Sequence, residues 1–357
     1  MYTLMKSSYP IRYLAVVLGI TFVVGCSSQV ETNSIQRNLE FVESIGHSSS
    51  EAYITRSRSV SSDLQRYFYI ADQGLAIVHQ YTLDGDFVKS IGRRGRGPGE
   101  FSGNMNVYAK GDSLLVTDFT NLTVSLFHSD GELINTFNLE ERHSTEFQFF
   151  NGLLVTGHSY SLPFGTDYED EELLHLYDSD GNVKHGFGEF LEFKEPVPSI
   201  IQKNFTAVLN GELHVVFMFF PEYKIYTKNG DLKKSFRLDE VIPNLNYETN
   251  DKESIGDFID SRVNDLTGRV GGLFISGERI FVSLANDSLL QIEELKLREA
   301  KLVHVRSYNY PLIDGDRNVI GYIDFFYSEK DNMFYILENE QYEGFVVSKY
   351  GVINDPN

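Results

Sequence analysis

A tight-turn dipeptide, Asp-Gly or Asn-Gly, recurs at near-constant spacing, and that period decides what this chain can fold into. Asp84-Gly85, Asp130-Gly131, Asp180-Gly181 and Asn229-Gly230 lie 46, 50 and 49 residues apart, each between two apolar, strand-forming runs. Gly, Asn and Asp accept the positive φ of a short hairpin loop, so each pair marks a turn between antiparallel strands. An interval of this length holds four strands. The first is typical: YITRSRSV at 53–60, YFYIAD at 67–72, AIVHQYT at 76–82 and DFVKSIG at 86–92. Four-stranded antiparallel units at this period build propeller blades, so the expected fold class is all-β.

Three further units repeat the order: NMNVYAK to ELINTFNL, EFQFFNG to NVKHGFG, and FTAVLNG to DLKKSFRL. A fifth, degenerate unit runs from GGLFISG to AKLVHVRSY. The sixth has YIDFFYS, MFYILEN and GFVVSKY, and the sequence then ends at Asn357 without a fourth strand. The missing strand is expected at the other terminus, where FVESIG at 41–46 differs from FVKSIG at 87–92 at one position. Such a strand closes the ring and removes free sheet edges. The expectation is a six-bladed β-propeller over residues 38–357, made of four-stranded antiparallel blades and closed by its N-terminal strand.

The segment YIADQGLAIVHQYTLDGDFVKSIGRRGRGPGEF at 69–101 resembles an NHL-type propeller repeat, with its A-D strand end, its D-G turn and its G-x-G-x-G-P-G-x-F link. From about residue 38 to 351 the chain is similar to the six-bladed NHL/TolB-like propeller lipoproteins of Gram-negative bacteria. The resemblance implies the fold. Function does not travel with a fold, and the link motif occurs once.

The first 25 residues read as a signal peptide. Lys6 and Arg12 precede the apolar stretch Leu14 to Val24, which is shorter than the roughly 20 residues a membrane-spanning helix needs. Val23-Val24-Gly25-Cys26 resembles the bacterial lipoprotein box, and Cys26 is the one cysteine of the sequence. Cys26 is therefore the expected lipidation site, the alternative being a small buried residue of the signal helix. Residues 26–37 read as lipidated Cys and flexible tether. Ser27, by resemblance to Gram-negative sorting, points to the outer membrane of the cell envelope, with either side open. Removing Lys6 and Arg12 leaves 29 basic against 51 acidic residues. That balance repels phosphate backbones and excludes sequence-independent nucleic-acid binding. The membrane is reached through acyl chains, and a monomer is expected.

Propeller connectivity puts the second-to-third strand loops and the blade links on one face and the Asp-Gly turns on the other. The long loops fall on the first, which is the expected working face. There Arg93, Arg94 and Arg96 offer guanidinia to a carboxylate, sulfate or phosphate; alternatively they are solvated residues of a structural crossover that Phe101 anchors. The glycines around them do not make a phosphate cradle, because the segment leads into a strand and not a helix. Tyr160, Tyr168, Phe219 and Tyr342, with Phe164 and Phe220, suit a protein or glycan partner. Asp167 and Glu169, with Asp170 to Glu172, offer hard oxygens for calcium, but their spacing matches no closed ligand pattern and an acidic solvated loop accounts for them. No H-E-x-x-H or G-x-S-x-G is present, and His79, His128, His175 and His214 lie in strand patterns. The expectation is a binding or scaffold module with no catalytic residue and no cofactor. The alternative, by resemblance, is a propeller lyase or lactonase with a metal in the central channel.

Overall fold

The computed structural model describes residues 35–353, apart from 48–49, 51, 140–146, 158–171, 193–201, 244, 246–268, 286–288, 312, 315–316 and 342. The chain opens with β1 (Ile35–Ile45). A four-stranded antiparallel sheet follows: β2 (Ser57–Ser62), β3 (Tyr67–Asp72), β4 (Ile77–Thr82) and β5 (Phe87–Ile91). Two short strands, β6 (Arg93–Arg94) and β7 (Glu100–Phe101), pair in the link. The second sheet holds β8 (Met105–Lys110), β9 (Ser113–Asp118), β10 (Thr123–His128) and β11 (Leu133–Asn138). The third holds β12 (Phe147–Phe150), β13 (Leu153–Gly157), β14 (Leu174–Tyr177) and β15 (Val183–Phe187), and the fourth β16 (Asn204–Leu209), β17 (Glu212–Phe217), β18 (Glu222–Tyr226) and β19 (Leu232–Arg237). The rest of the chain supplies β20 (Arg269–Ser276), β21 (Arg279–Ala285), β22 (Leu289–Arg298), β23 (Lys301–Pro311), β24 (Ile313–Asp314), β25 (Arg317–Ser328), β26 (Met333–Glu340) and β27 (Gly344–Val352).

The fold is all-β, a propeller-like arrangement of antiparallel sheets. Where six separate four-stranded sheets are expected, four are found. The remaining strands form one nine-stranded sheet in the order β20-β21-β22-β23-β1-β27-β26-β25-β24. The reason is that β1 pairs along both of its edges. Leu39 to Ile45 lie antiparallel to β27, as the FVESIG match predicts, while Ile35 to Asn38 run parallel to Arg306 to Asn309 of β23. One strand therefore completes one set of strands and sews it to the set before.

The core is divided into layers between neighbouring sheets. Ile91, Val78 and Tyr69 of the first sheet pack with Met105, Leu114 and Phe127 of the second and with Phe101 of the link. In the layer that joins the chain's end to its start, Phe326, Tyr335, Leu337 and Val347 meet Val60, Phe68, Ile70 and Tyr81, with Ile45 of β1 among them. Side chains such as Phe68 and Phe101 are wholly buried, each worth about 1.5–3 kcal/mol over exposure.

The recurring turns interlock the sheets. Gly85, Gly131, Gly181 and Gly230 all have positive φ, and a Cβ on each would meet Ile45, Ile91, Phe137 and Phe187 respectively. Each of those is an apolar residue near the end of the preceding outer strand, so β1 plays the same part toward Gly85 that β5 plays toward Gly131. Asp or Asn precedes a glycine here because the backbone must turn left-handed and also make room for a neighbour.

Glycine removal separates these two requirements. Gly111 has positive φ but nothing within 4 Å of its would-be Cβ, whereas Gly181 would bring one to 2.3 Å from the Phe137 ring. Gly111→Ala is expected to cost about 1–2 kcal/mol of strain, and Gly181→Ala clearly more, because Phe137 must also move. Urea denaturation of both variants checks the order.

Candidate functional site

Strand direction sorts the connections onto two faces, and the longest belong to one of them. On the face of the Asp-Gly turns, every connection from β2–β3 through β25–β26 is two to five residues long. On the opposite face second-to-third strand loops such as 73–76, 119–122 and 218–221 are equally short, while the strand ends there also bound the longer connections 46–56, 92–104, 158–173, 188–203 and 238–268. Two bonds show link and loop sharing a surface. Arg94 Nη2 donates to the Gly74 carbonyl (2.6 Å), and Asn121 Nδ2 donates to the Gly95 carbonyl (3.0 Å).

The Gly-rich link is braced from within. Glu100 Oε2 accepts from the amides of Gly97 (2.9 Å) and Arg96 (3.1 Å), while Glu100 Oε1 lies 2.6 Å from Arg93 Nη2 and accepts from its Nε at 2.8 Å. The Gly97 amide, then Arg93, hold the Glu100 carboxyl below its ordinary range. The anion that this loop best accommodates is thus the chain's own. Arg94 is spent on the Gly74 and Ser102 carbonyls. The guanidinium of Arg96 alone has no partner among the described residues, and all three arginines are exposed. Phe101 is fully buried and anchors the crossover.

Beside the link lies a repeated polar knot. Asp72, at the end of β3, accepts from the Thr55 amide (2.7 Å), the Thr55 hydroxyl and the Leu75 amide (3.0 Å). Asp118, at the end of β9, does the same for Ser102, Thr120 and Asn121. Each ties the approach to a first strand to the next loop, which explains the A-D strand end as structure. Burial alone would raise the Asp72 carboxyl, but the neighbouring His79 and the bonds from Thr55 outweigh it and hold it at about 2. His79 stands between Asp72 (Nε2 to Oδ2, 3.5 Å) and the Ser90 hydroxyl (Nδ1 to Oγ, 3.3 Å), the order of a hydrolytic triad. Its setting argues against that role. The matching positions pair Thr136 with Ser125 and Ser44 with Ser348, both at 3.0 Å, so a polar contact between third and outer strands is a feature of the repeat.

The interior of the ring shows a third pattern. The first strands lie side by side in the order β2, β8, β12, β16, β20, β25 and back to β2. Their inner edges carry backbone groups with no strand to pair with, and side chains of the neighbouring first strand take them up. Ser59 Oγ accepts from the Val107 amide and donates to its carbonyl, both at 3.1 Å, and Ser61 Oγ accepts from the Ala109 amide (3.0 Å). Gln148 donates to the Thr206 carbonyl, and Asp324 Oδ2 accepts from the Val60 amide (3.0 Å). Among the described residues, no three His, Cys, Asp or Glu side chains gather to hold a metal ion.

Of the other expected site residues, Cys26, Tyr160, Asp167, Tyr168, Glu169 and Tyr342 lie outside the described residues. Phe219 is placed in the core, 3% exposed, with Phe220 beside it at 8%. A short loop between β17 and β18 turns both rings inward, so Phe219 is no exposed platform. Among the described residues, the large apolar side chains that this face exposes are Tyr53 (48%) and Leu75 (38%). They flank the Asp72 knot, because Thr55 and Leu75 both donate to Asp72 and Arg94 caps Gly74. Only a Thr or Ser 16 to 17 residues before the A-D or T-D strand end, Thr55 before Asp72 and Ser102 before Asp118, could have signalled this corner.

No protein-family model matches the sequence, and no curated protein matches it. Solved structures do. A protein of Bacteroides fragilis named as exported is similar over 90% of this chain and 99% of its own, at 13% identity and a TM-score of 0.59. A member of the duf4221 family from Bacteroides vulgatus is similar over 88% and 98%, at 12% and 0.59. A luciferin-regenerating enzyme is similar over 88% and 95%, at 10% and 0.51. At these identities the likeness is one of fold, and proteins of this fold include one named as exported and an enzyme.

The Asp72 knot makes a pH prediction. A carboxyl lowered by folding stabilises the protein above its ordinary value of 3.8, and that contribution is lost as pH falls from about 4 through 2. Asp72→Asn is expected to lose about 2 kcal/mol at pH 7 and to approach the wild type in acid. Thermal melts from pH 7 to pH 2.5 check the convergence.

Proposed function

We propose that this chain is an exported, lipid-anchored, six-bladed propeller of the outer membrane that binds a protein or glycan partner through its long-loop face. The closed order of six first strands supports the blade count, with the nine-stranded sheet read as two blades joined by β1. The similarity to a Bacteroides protein named as exported supports export, and the Gly25-Cys26 junction supports the anchor. The observation that carries the binding role is the asymmetry of the connections. A scaffold needs only short turns, and this chain has them on one face; long connections on the other carry residues that the ring does not require.

On the described part of that face, Tyr53, Leu75 and the unpartnered Arg96 combine aromatic, aliphatic and cationic groups, a mixture that suits binding anchors. Tyr160, Asp167, Tyr168 and Glu169 in the segment between β13 and β14, and Tyr342 between β26 and β27, all outside the described residues, remain part of the proposal as candidate contacts. No metal or cofactor is needed for this role.

Two experiments test the reading. The soluble fragment from residue 27 is applied to a glycan array and to fractionated envelope proteins. Replacing 158–171 with a two-residue turn, or Tyr53 and Leu75 together with Ala, is expected to weaken the identified interaction at least tenfold while leaving the melting temperature near that of the parent. Replacing Asp84, Asp130 and Asp180 with Ala on the other face should leave it intact, and the reverse result refutes the face. For the anchor, Cys26→Ser is expected to abolish metabolic labelling with palmitate; label retained on the variant rejects lipidation at Cys26.

A further inference from the structure

The inner carboxylate of Asp324 sits where the ring closes. It lies on β25, the first strand of the final set, and bonds to the Val60 amide on the inner edge of β2, the first strand of the opening set. Its other oxygen accepts from the Phe325 amide (2.9 Å). Both β2 and β25 are irregular at this place: the register of β2 shifts between Ser57 and Val60, and that of β25 between Tyr322 and Asp324. These shifts aim a free amide and a carboxylate at each other across the seam. The other inner-edge contacts use hydroxyls or an amide, from Ser59, Ser61 and Gln148. At the seam the chain uses an ionisable group.

We propose that Asp324 is a proton-controlled latch on ring closure, so that the junction between the first and last blades is tighter in mildly acidic than in mildly alkaline conditions. Asp324 is half-buried in the layer between β25 and β2. Among the described residues no charge comes to meet it. From β2 it receives the Val60 amide, and the nearby Arg58 is exposed; from β26 its register partner is Leu337; from β20 the side chain that packs into the same layer is Phe274. Glu338 of β26 belongs to the opposite layer, where Tyr310, Tyr350 and Ser348 donate to it. Lys349 is engaged with Glu43 at the outer edge. Burial without a cation raises the Asp324 carboxyl to about 7, against the pull of its two amide bonds. The sign follows. A carboxyl raised by folding stabilises the protein fully below its unfolded value of 3.8, and that contribution is lost as pH rises through 7.

The test compares the wild type with Asp324→Asn, which keeps the shape and cannot ionise. Urea denaturation is followed from about pH 4.5 to 8.5. The ratio of the two unfolding constants is expected to change about tenfold per pH unit between about 4.5 and 7, with the wild type losing stability relative to the variant as pH rises, and the curves running parallel above about 7.5. Parallel curves across the whole range, as a carboxyl titrating near 4 in the folded protein would give, overturn the proposal. If Asp324→Asn does not fold, carboxyl carbon NMR of the wild type decides: titration of Asp324 near 7 supports the latch, and titration near 4 refutes it. Exchange of the Val60 amide gives an independent reading, because a latch that weakens with ionisation must lose protection there beyond the intrinsic pH dependence of exchange.

Discussion

A ring of sheets is only as strong as the contact between its last member and its first, and in this molecule that contact is made by β1. The strand extends the sheet at β27, pairs in parallel with β23, and sets Ile45 against Gly85 as an ordinary outer strand would. Its one departure from the repeat is Glu43, which stands where β5 has Lys89. Lys89 reaches the Asp130 carbonyl of the next turn. At the seam the cation comes from the neighbouring strand instead: Lys349 pairs with Glu43 at 2.8 Å and reaches toward the Asp84 carbonyl. The contact is conserved in geometry while the residue that makes it changes strand. This is the compensation expected when a blade is assembled from both ends of a chain.

The same economy governs the polar groups. An inner strand has one edge paired within its blade and one facing the inside of the ring, where unpaired amides and carbonyls are costly unless something meets them. Ser59 serves both backbone groups of Val107 with a single hydroxyl, and Asp72 and Asp118 collect amides at the ends of β3 and β9. Polar residues that look like chemistry in a linear reading are largely committed to this work. His79 beside Ser90 and Asp72 has the order of a triad and the job of a strap, and Glu100 beside Arg93 neutralises the loop that otherwise looks ready for an anion.

How much of this was legible in the sequence depended on whether the signal was local. The Asp-Gly turns, the near-duplicate FVESIG and FVKSIG and the crossover ending in Phe101 are short patterns tied to backbone conformation, and they located strands, closure and link. The fusion of the last two sets into nine strands was not legible, because the parallel pairing of Ile35 to Asn38 with β23 joins residues about 270 apart with no shared motif. Phe219 was misplaced because composition says that a ring is present but not which way a tight loop turns it. Tyr53 and Leu75 escaped notice because exposure is a property of neighbours, and Asp324 because a lone Asp in an apolar run has no spacing to read.

What distinguishes the two faces is how fully their residues are used. On the turn face, Gly85, Gly131, Gly181 and Gly230 receive the neighbouring outer strand, and Lys89, Asn135 and Lys349 bond to the carbonyls of those turns. A substitution there changes the joint between two blades, which leaves little freedom for a binding surface to diversify. On the link face, among the described residues, the structural work is concentrated in a few knots, Asp72 with Thr55, Asp118 with Ser102, Glu100 with its loop and Gln202 with Leu191, and in buried rings and aliphatics such as Ile54 and Phe219. Insertions are tolerated where chain ends are held but the intervening backbone is not. The exposed residues of that face, Tyr53, Leu75 and Arg96 among them, therefore lie outside the joints between blades that occupy the turns opposite, and the proposed binding face rests on that separation.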